Sequence, residues 1–239
     1  MSTIPLIILT TSVYTKNIVG MKQCDPEARL ECYLKSIKNW IENTKLNIIL
    51  VENTGYKFNE FKEFENNRFE IITFTRNDIS ATDQAFLFNT NRNEGRSKGQ
   101  HELYEINYVY NNSKILKNIN PTHIIKITGR YYIPDFESII NEKLRLEHLA
   151  IFQQFPIPCE ISGCHINYFS ELFKFPAVMK IDLVEEVYFN RKALFTKNIN
   201  NSKRFTKEAL EDDDKLILPK LKLAWPVQQG GTHTIMQHL

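Results

Sequence analysis

Several familiar signals are missing from this sequence. Its 8 glycines among 239 residues include no Gly-x-Gly-x-x-Gly behind the first apolar strand, which argues against a methyltransferase or other Rossmann-like enzyme. Glu94-Gly95-Arg96-Ser97-Lys98-Gly99 does not have the Gly-x-x-x-x-Gly-Lys-Ser/Thr order of a Walker loop. The four cysteines, Cys24, Cys32, Cys159 and Cys164, form no Cys-x-x-Cys pair, and Cys159 and Cys164 have no histidines at zinc spacing. Reduced thiols and a cytoplasmic setting are expected. Charge nearly cancels, 30 basic against 28 acidic residues for a net +2, so no strong field points to nucleic acid or a membrane surface as the main partner. The start has no basic leader, and Ile4 to Leu9 is too short an apolar run for a signal or a transmembrane segment. No repeat or low-complexity tract interrupts the chain.

What is present reads as alternating strands and helices. With 42% hydrophobic residues, the chain is long enough for one sizeable domain over 1–239. Ile4 to Leu9 is a buried first strand followed by Thr10-Thr11-Ser12, three hydroxyls that serve either as turn formers or as ligand donors. Asp25-Pro26-Glu27 opens a helix, and Leu30, Tyr33/Leu34, Ile37 and Trp40/Ile41 fall on its apolar face. Ile48 to Glu52 is a second parallel strand closed by Asn53-Thr54-Gly55. Glu52 at that strand end either accepts from a ribose or base or caps its own turn. A short helix over Phe58 to Phe64 and a strand over Phe69 to Phe74 follow. Arg76 to Ser97 is a long polar loop with Phe86-Leu87-Phe88 inside it, a length that calls for a function or a short helix. Lys98-Gly99 opens the next helix, where N-terminal amides suit a phosphate.

The centre of the chain is Thr122 to Tyr132. Ile124, Ile125 and Ile127 make a short β-branched run, read as a strand buried on both faces. It ends in Gly129-Arg130-Tyr131-Tyr132. In an open α/β sheet the carboxyl ends of central strands hold ligands, and a glycine, a permanent cation and two rings suit a nucleoside diphosphate. The plainer alternative is a Gly turn whose Arg meets a structural carboxylate. Lys126 alternates with Ile125 and Ile127, so it faces either the ligand or away from it. Beyond this stretch, a helix is expected from Pro134-Asp135 to about Leu146, then strands over Leu149 to Phe155 and Glu160 to Asn167 at an edge or mixed in direction. A helix from about Leu183 to Phe195, a strand over Leu216 to Leu223 and a tail loop over Trp225 to His233 complete the reading.

The segments Arg29 to Tyr56, Lys98 to Glu105 and Lys126 to Tyr132 resemble small glycosyltransferase-like proteins of viral and microbial origin with the GT-A-type fold. That resemblance implies a three-layer α/β/α domain with a mixed, mostly parallel central sheet, a nucleotide-binding half over 1–134 and an acceptor half over 135–239. It implies transfer of a sugar from a nucleoside-diphosphate sugar to a glycan or other hydroxyl acceptor. Substrate-binding positions would be Thr10, Thr11, Glu52 and Asn53 in the first half, with Lys98, Gly99 and Glu102 on the helix. Lys126, Gly129, Tyr131 and His233 would complete them.

One departure shapes the chemistry. The fold usually carries Asp-x-Asp after the central strand to hold a divalent metal, and Gly129-Arg130-Tyr131 stands there instead. The implied mechanism has no metal cofactor and uses Arg130, supported by Lys98 or Lys126, to stabilise the departing diphosphate. The alternative is Mn²⁺ or Mg²⁺ on Asp212-Asp213-Asp214 with His233. Glu185 and Glu186 are the candidate catalytic bases; helical neighbours point about 100° apart, so one of the two faces the pocket. A non-catalytic nucleotide- or glycan-binding protein on the same scaffold is the competing class.

Overall fold

The computed structural model describes residues 2–15, 25–88, 98–153, 160–174, 191, 215–228 and 235–239. Strand β1 (Pro5–Thr11) is buried along almost its whole length because both of its faces are apolar and both are covered. Helix α1 (Pro26–Asn43) starts where the sequence calls for it, with the Asp25 side chain accepting from the Glu27 N–H at 3.0 Å and Pro26 in the first turn. It ends at Thr44, whose hydroxyl turns back to the Trp40 carbonyl at 2.7 Å. Strands β2 (Asn47–Glu52) and β3 (Phe69–Thr73) follow, with a 3-10 turn over Asn59–Phe64 between them.

The long polar segment after β3 is more ordered than its composition suggests. It carries a 3-10 turn at Arg76–Asp78 and helix α2 (Ala81–Phe88), which takes up the Phe86-Leu87-Phe88 island. Helix α3 (Lys98–Asn112) stops at the Asn pair, and α4 (Lys114–Ile119) restarts behind a Ser113 cap. Then come β4 (His123–Thr128), α5 (Phe136–Lys143), β5 (Ala150–Gln153), β6 (Ile161–His165) and α6 (Phe169–Phe173). Helix α5 is shorter than expected. It closes at Leu144, whose N–H returns to the Ile140 carbonyl.

The expected strand over Leu216 to Leu223 is a correction: two strands, β7 (Lys215–Leu218) and β8 (Lys222–Gln228), divide that region. The tail is not a plain loop either, since β8 pairs antiparallel with β9 (Ile235–His238) as a separate ribbon. Alternation is weak in Trp225-Pro226-Val227, which hid the strand from a pattern reading.

Seven strands form one sheet in the order β3-β2-β1-β4-β6-β5-β7. All run parallel except β6, which is inserted antiparallel between β4 and β5. So β6 is internal rather than an edge strand. Odd and even positions of the strands feed two different cores. Ile7, Leu9, Ile48, Leu50, Ile125 and Ile127 pack under Tyr33, Ile37 and Trp40 of α1 and Phe136 of α5. Leu6, Ile8, Ile49, Val51 and Ile124 pack under Leu103, Ile106 and Val109 of α3. This is the expected three-layer α/β/α arrangement with a mixed, mostly parallel sheet. Each fully buried side chain of this size contributes roughly 1.5–3 kcal/mol. Among the described residues, no helix is long and apolar enough to cross a membrane.

Candidate active site

The strand order creates a crevice. From β1 the chain moves to β2 and β3 on one side, then returns to lay β4 on the other. A reversal of this kind opens a gap outside the carboxyl ends of the two central strands, here β1 and β4. Thr10 pairs with Thr128 and Thr11 with Glu52, so the ends of β2, β1 and β4 stand side by side. Glu52 and Arg130 therefore flank the same pair of threonines on one edge of the sheet.

Gly129 is required by that closeness. Its N–H donates to the Thr10 carbonyl at 2.8 Å, and an added Cβ would lie 2.6 Å from the Thr11 methyl and 3.0 Å from the Thr10 carbonyl oxygen. Only glycine lets the end of β4 approach β1 so tightly. Arg130 follows at once. Its side chain is half-buried, its Nε is sealed from solvent without a hydrogen-bond partner, and its guanidinium lies 5.3 Å from the Tyr131 ring centre. Burial opposes the charge, but the Tyr131 and Tyr33 hydroxyls and the Glu160 carboxylate more than offset it and push the arginine's pKa upward. Tyr131 is fully buried, with its hydroxyl donating to Met236 Sδ at 3.7 Å on the β8–β9 ribbon, and burial drives that phenol's pKa up.

On the α1 side, Arg29 and Tyr33 close the end of β1. Arg29 Nε donates to the Ser12 carbonyl at 2.7 Å and Nη2 to the Tyr33 hydroxyl at 2.8 Å, while that hydroxyl accepts from the Ser12 N–H at 3.2 Å. Cys32 lies near both Arg29 and Arg130, and burial raises its thiol pKa against their influence. These α1 residues were within the resembling segment but carried no assigned role. The available signal was an arginine and a tyrosine four residues apart on the apolar face of the helix.

Glu52 is fully buried and turned into its own loop. Its carboxylate accepts from the backbone N–H of Val13 at 3.0 Å, Thr54 at 2.8 Å, Gly55 at 2.6 Å and Tyr56 at 2.9 Å, and from the Thr54 hydroxyl. Burial raises its pKa, and those hydrogen bonds pull it back. It shapes the wall of the crevice, and Gly55, at φ +93°, makes the turn that wraps it. Asn53 beside it accepts from the Ser12 hydroxyl at 2.8 Å.

Lys126 faces α3. It is fully buried, with Nζ 2.9 Å from Glu102 and donating to the Thr128 hydroxyl at 3.2 Å. Its nearest anion is thus a protein carboxylate. Glu105, one turn beyond Glu102, receives the Thr11 N–H at 3.3 Å and Asn53 Nδ2 at 3.4 Å. Those bonds tie the middle of α3 to the ends of β1 and β2, while Gly99 near the start of the helix is buried. The structure thus gathers Thr10, Thr11, Glu52, Asn53, Gly129, Arg130 and Tyr131 along one edge, with Lys126 and Glu102 beneath it. Glu185, Glu186, His233 and Asp212 to Asp214 lie outside the described residues. Among the described residues, no group of three or more His, Cys, Asp or Glu is arranged to hold a metal ion.

No family model and no curated protein matches this chain. Among solved structures, it is similar to a putative nucleotide-diphospho-sugar transferase from Desulfovibrio desulfuricans G20, at 10% identity and a TM-score of 0.42, over 87% of this chain and 93% of that one. It is also similar to the glycosyltransferase GlyE of Streptococcus pneumoniae TIGR4, at 9% identity and a TM-score of 0.38. That alignment covers 91% of this chain and 45% of GlyE. Likeness at this level carries no functional argument, and what the chain does has to be read from its own crevice.

Proposed function

We propose that the chain is a glycosyltransferase with a GT-A-like scaffold, moving a sugar from a nucleoside-diphosphate sugar to a glycan or other hydroxyl acceptor. The observation that carries this reading is Arg130, a charged, half-buried guanidinium with an unpartnered Nε, set at the end of the central strand beside the β1/β4 crevice. In such a transfer the acceptor oxygen bonds to the anomeric carbon and gives up its proton. The bond from that carbon to the diphosphate breaks, and its electron pair leaves on a phosphate oxygen. A preorganised cation at that oxygen lowers the barrier, and a planar guanidinium suits phosphate. Arg130 takes this role without a metal. Gly99 and the α3 amides supply donors at a helix N-terminus, and Glu185 or Glu186 is the candidate base.

The test is thermal unfolding with a panel of nucleoside diphosphates and their sugars, followed by assay of nucleoside diphosphate release with acceptor. A ligand at about a hundred times its Kd stabilises by about 2.7 kcal/mol. Selective stabilisation with turnover supports the proposal. Stabilisation without turnover favours a binding protein, and stabilisation by no nucleotide removes the reading.

A further inference from the structure

On the α3 side of the crevice the buried Glu52 and Glu105 and the partly exposed Glu102 gather around one ammonium, that of Lys126. Glu52 from β2 and Glu102 from α3 act on Glu105 together with the Lys126 ammonium from β4. A carboxyl away from water stays ionised only where donors or cations hold its charge. Glu52 has four backbone N–H groups and a hydroxyl. Glu102 has Lys126 at 2.9 Å. Glu105 is 2% exposed and has two long contacts, at 3.3 Å and 3.4 Å. Of the three, its negative charge has the least support, so it is the one whose protonated form the surroundings favour most. Burial is also the leading cause that lifts its carboxyl well above the ordinary range, with Glu52 and Glu102 adding and Lys126 opposing.

Asn53 stands between Glu105 and the Ser12 hydroxyl, 3.4 Å from the first and 2.8 Å from the second. Exchanging the oxygen and nitrogen of its amide keeps both separations and reverses both hydrogen bonds. A protonated Glu105 donates to Asn53 Oδ1, and Asn53 Nδ2 then donates to Ser12 Oγ. The Ser12 N–H is engaged by the Tyr33 hydroxyl and its carbonyl by Arg29. Its hydroxyl proton is left to point outward at the end of β1.

We propose that Glu105 is a positioning residue that acts through Asn53 to set the Ser12 hydroxyl as a hydrogen-bond donor toward the diphosphate of the bound nucleotide. This rests on the nucleotide-binding reading above. When Glu105 ionises, the amide turns back, Ser12 donates inward, and a lone pair faces the phosphate oxygens. The anion is then held less tightly. No covalent bond to carbon or phosphorus changes; two hydrogen bonds reverse.

The test combines calorimetric affinity for UDP and GDP from about pH 6 to about pH 9 with NMR of the Glu105 carboxyl and the Asn53 side-chain amide. Wild-type affinity should fall about tenfold or more as pH rises through the midpoint that NMR reads for the Glu105 carboxyl. Glu105→Gln, which keeps a donor toward Asn53, should hold the acid-side value throughout, and comparison with it cancels the probe's own ionisation. Ser12→Ala should bind more weakly and show no such fall. The Glu105 carboxyl should titrate above the ordinary range, with the Asn53 amide following at the same midpoint. An equal pH slope in Glu105→Gln and wild type would overturn the proposal, as would a Glu105 carboxyl that titrates in the ordinary range. If neither nucleotide binds at any pH, the nucleotide reading falls by itself. The resonances then decide the relay: a shared midpoint keeps it, and separate titrations overturn it.

Discussion

The indole N–H of Trp40 donates to the backbone carbonyl of Tyr131 at 2.8 Å, so the last turn of α1 holds the loop that carries Arg130. Both groups are buried. Trp40→Phe should leave that carbonyl unpaired and destabilise the fold by about 1–3 kcal/mol, read from urea unfolding. Nucleotide affinity should drop along with stability, because the loop loses its anchor. Full stability in the variant would show that the bond does not hold the loop.

Arg130→Ala should lower turnover by on the order of a hundredfold or more, with Arg130→Lys in between, since lysine keeps the charge but not the planar fork. Turnover should survive a chelator. Loss with chelator and recovery with Mn²⁺ would overturn the metal-free mechanism and direct attention to Asp212 to Asp214 with His233.

Lys126 and Glu102 should behave as a structural pair. Lys126→Met removes the buried ammonium that meets Glu102 of α3 at 2.9 Å and should cost roughly 3 kcal/mol of stability. Joining it with Glu102→Leu should recover part of that loss. A double variant no better than the sum of its singles would argue against coupling, by a denaturant-based mutant cycle.

His123 gives the fold an acid limit far from the crevice. Its ring is fully buried, and burial lowers its pKa from 6.5 to about 4, with the His148 carbonyl opposing and His165 and His148 adding. The folded state excludes the proton, so the contribution is whole above 6.5 and is lost as pH falls from there to about 4. The loss amounts to roughly 3 kcal/mol. His123→Gln should flatten the stability profile over that window. An unchanged slope would assign the acid sensitivity to other groups.

Strands were legible where apolar runs are short and sharply bounded: Ile48 to Glu52 and Ile124 to Ile127 landed within a residue or so of β2 and β4. The α1 cap was legible for the same reason, since Asp-Pro-Glu is local chemistry. Strand order was not, because nothing local in Ile161 to His165 says that it inserts backwards between β4 and β5. Within the site, the sequence placed Glu52 and Arg130 at strand ends but did not reveal what their side chains meet. Glu52 meets its own turn, Lys126 meets Glu102, and Arg29 and Glu105 sit on apolar helix faces where their role depends on strands far away in sequence. Partners set by tertiary contact leave little trace in local pattern.

The adjacency of β1 and β4 bears on how the molecule assembles. Thr122 and Ile4, bonded at the base of that strand pair, are 118 residues apart in sequence. A contact of that span is slow to form, because a long loop has to close before the ladder can offset its lost entropy. Trp40, 5.3 Å from the Tyr132 ring and 5.7 Å from Phe136, is an internal fluorophore for that closure. In refolding, its emission and the capacity to bind ligand should mature together and late, after helix signals have already returned.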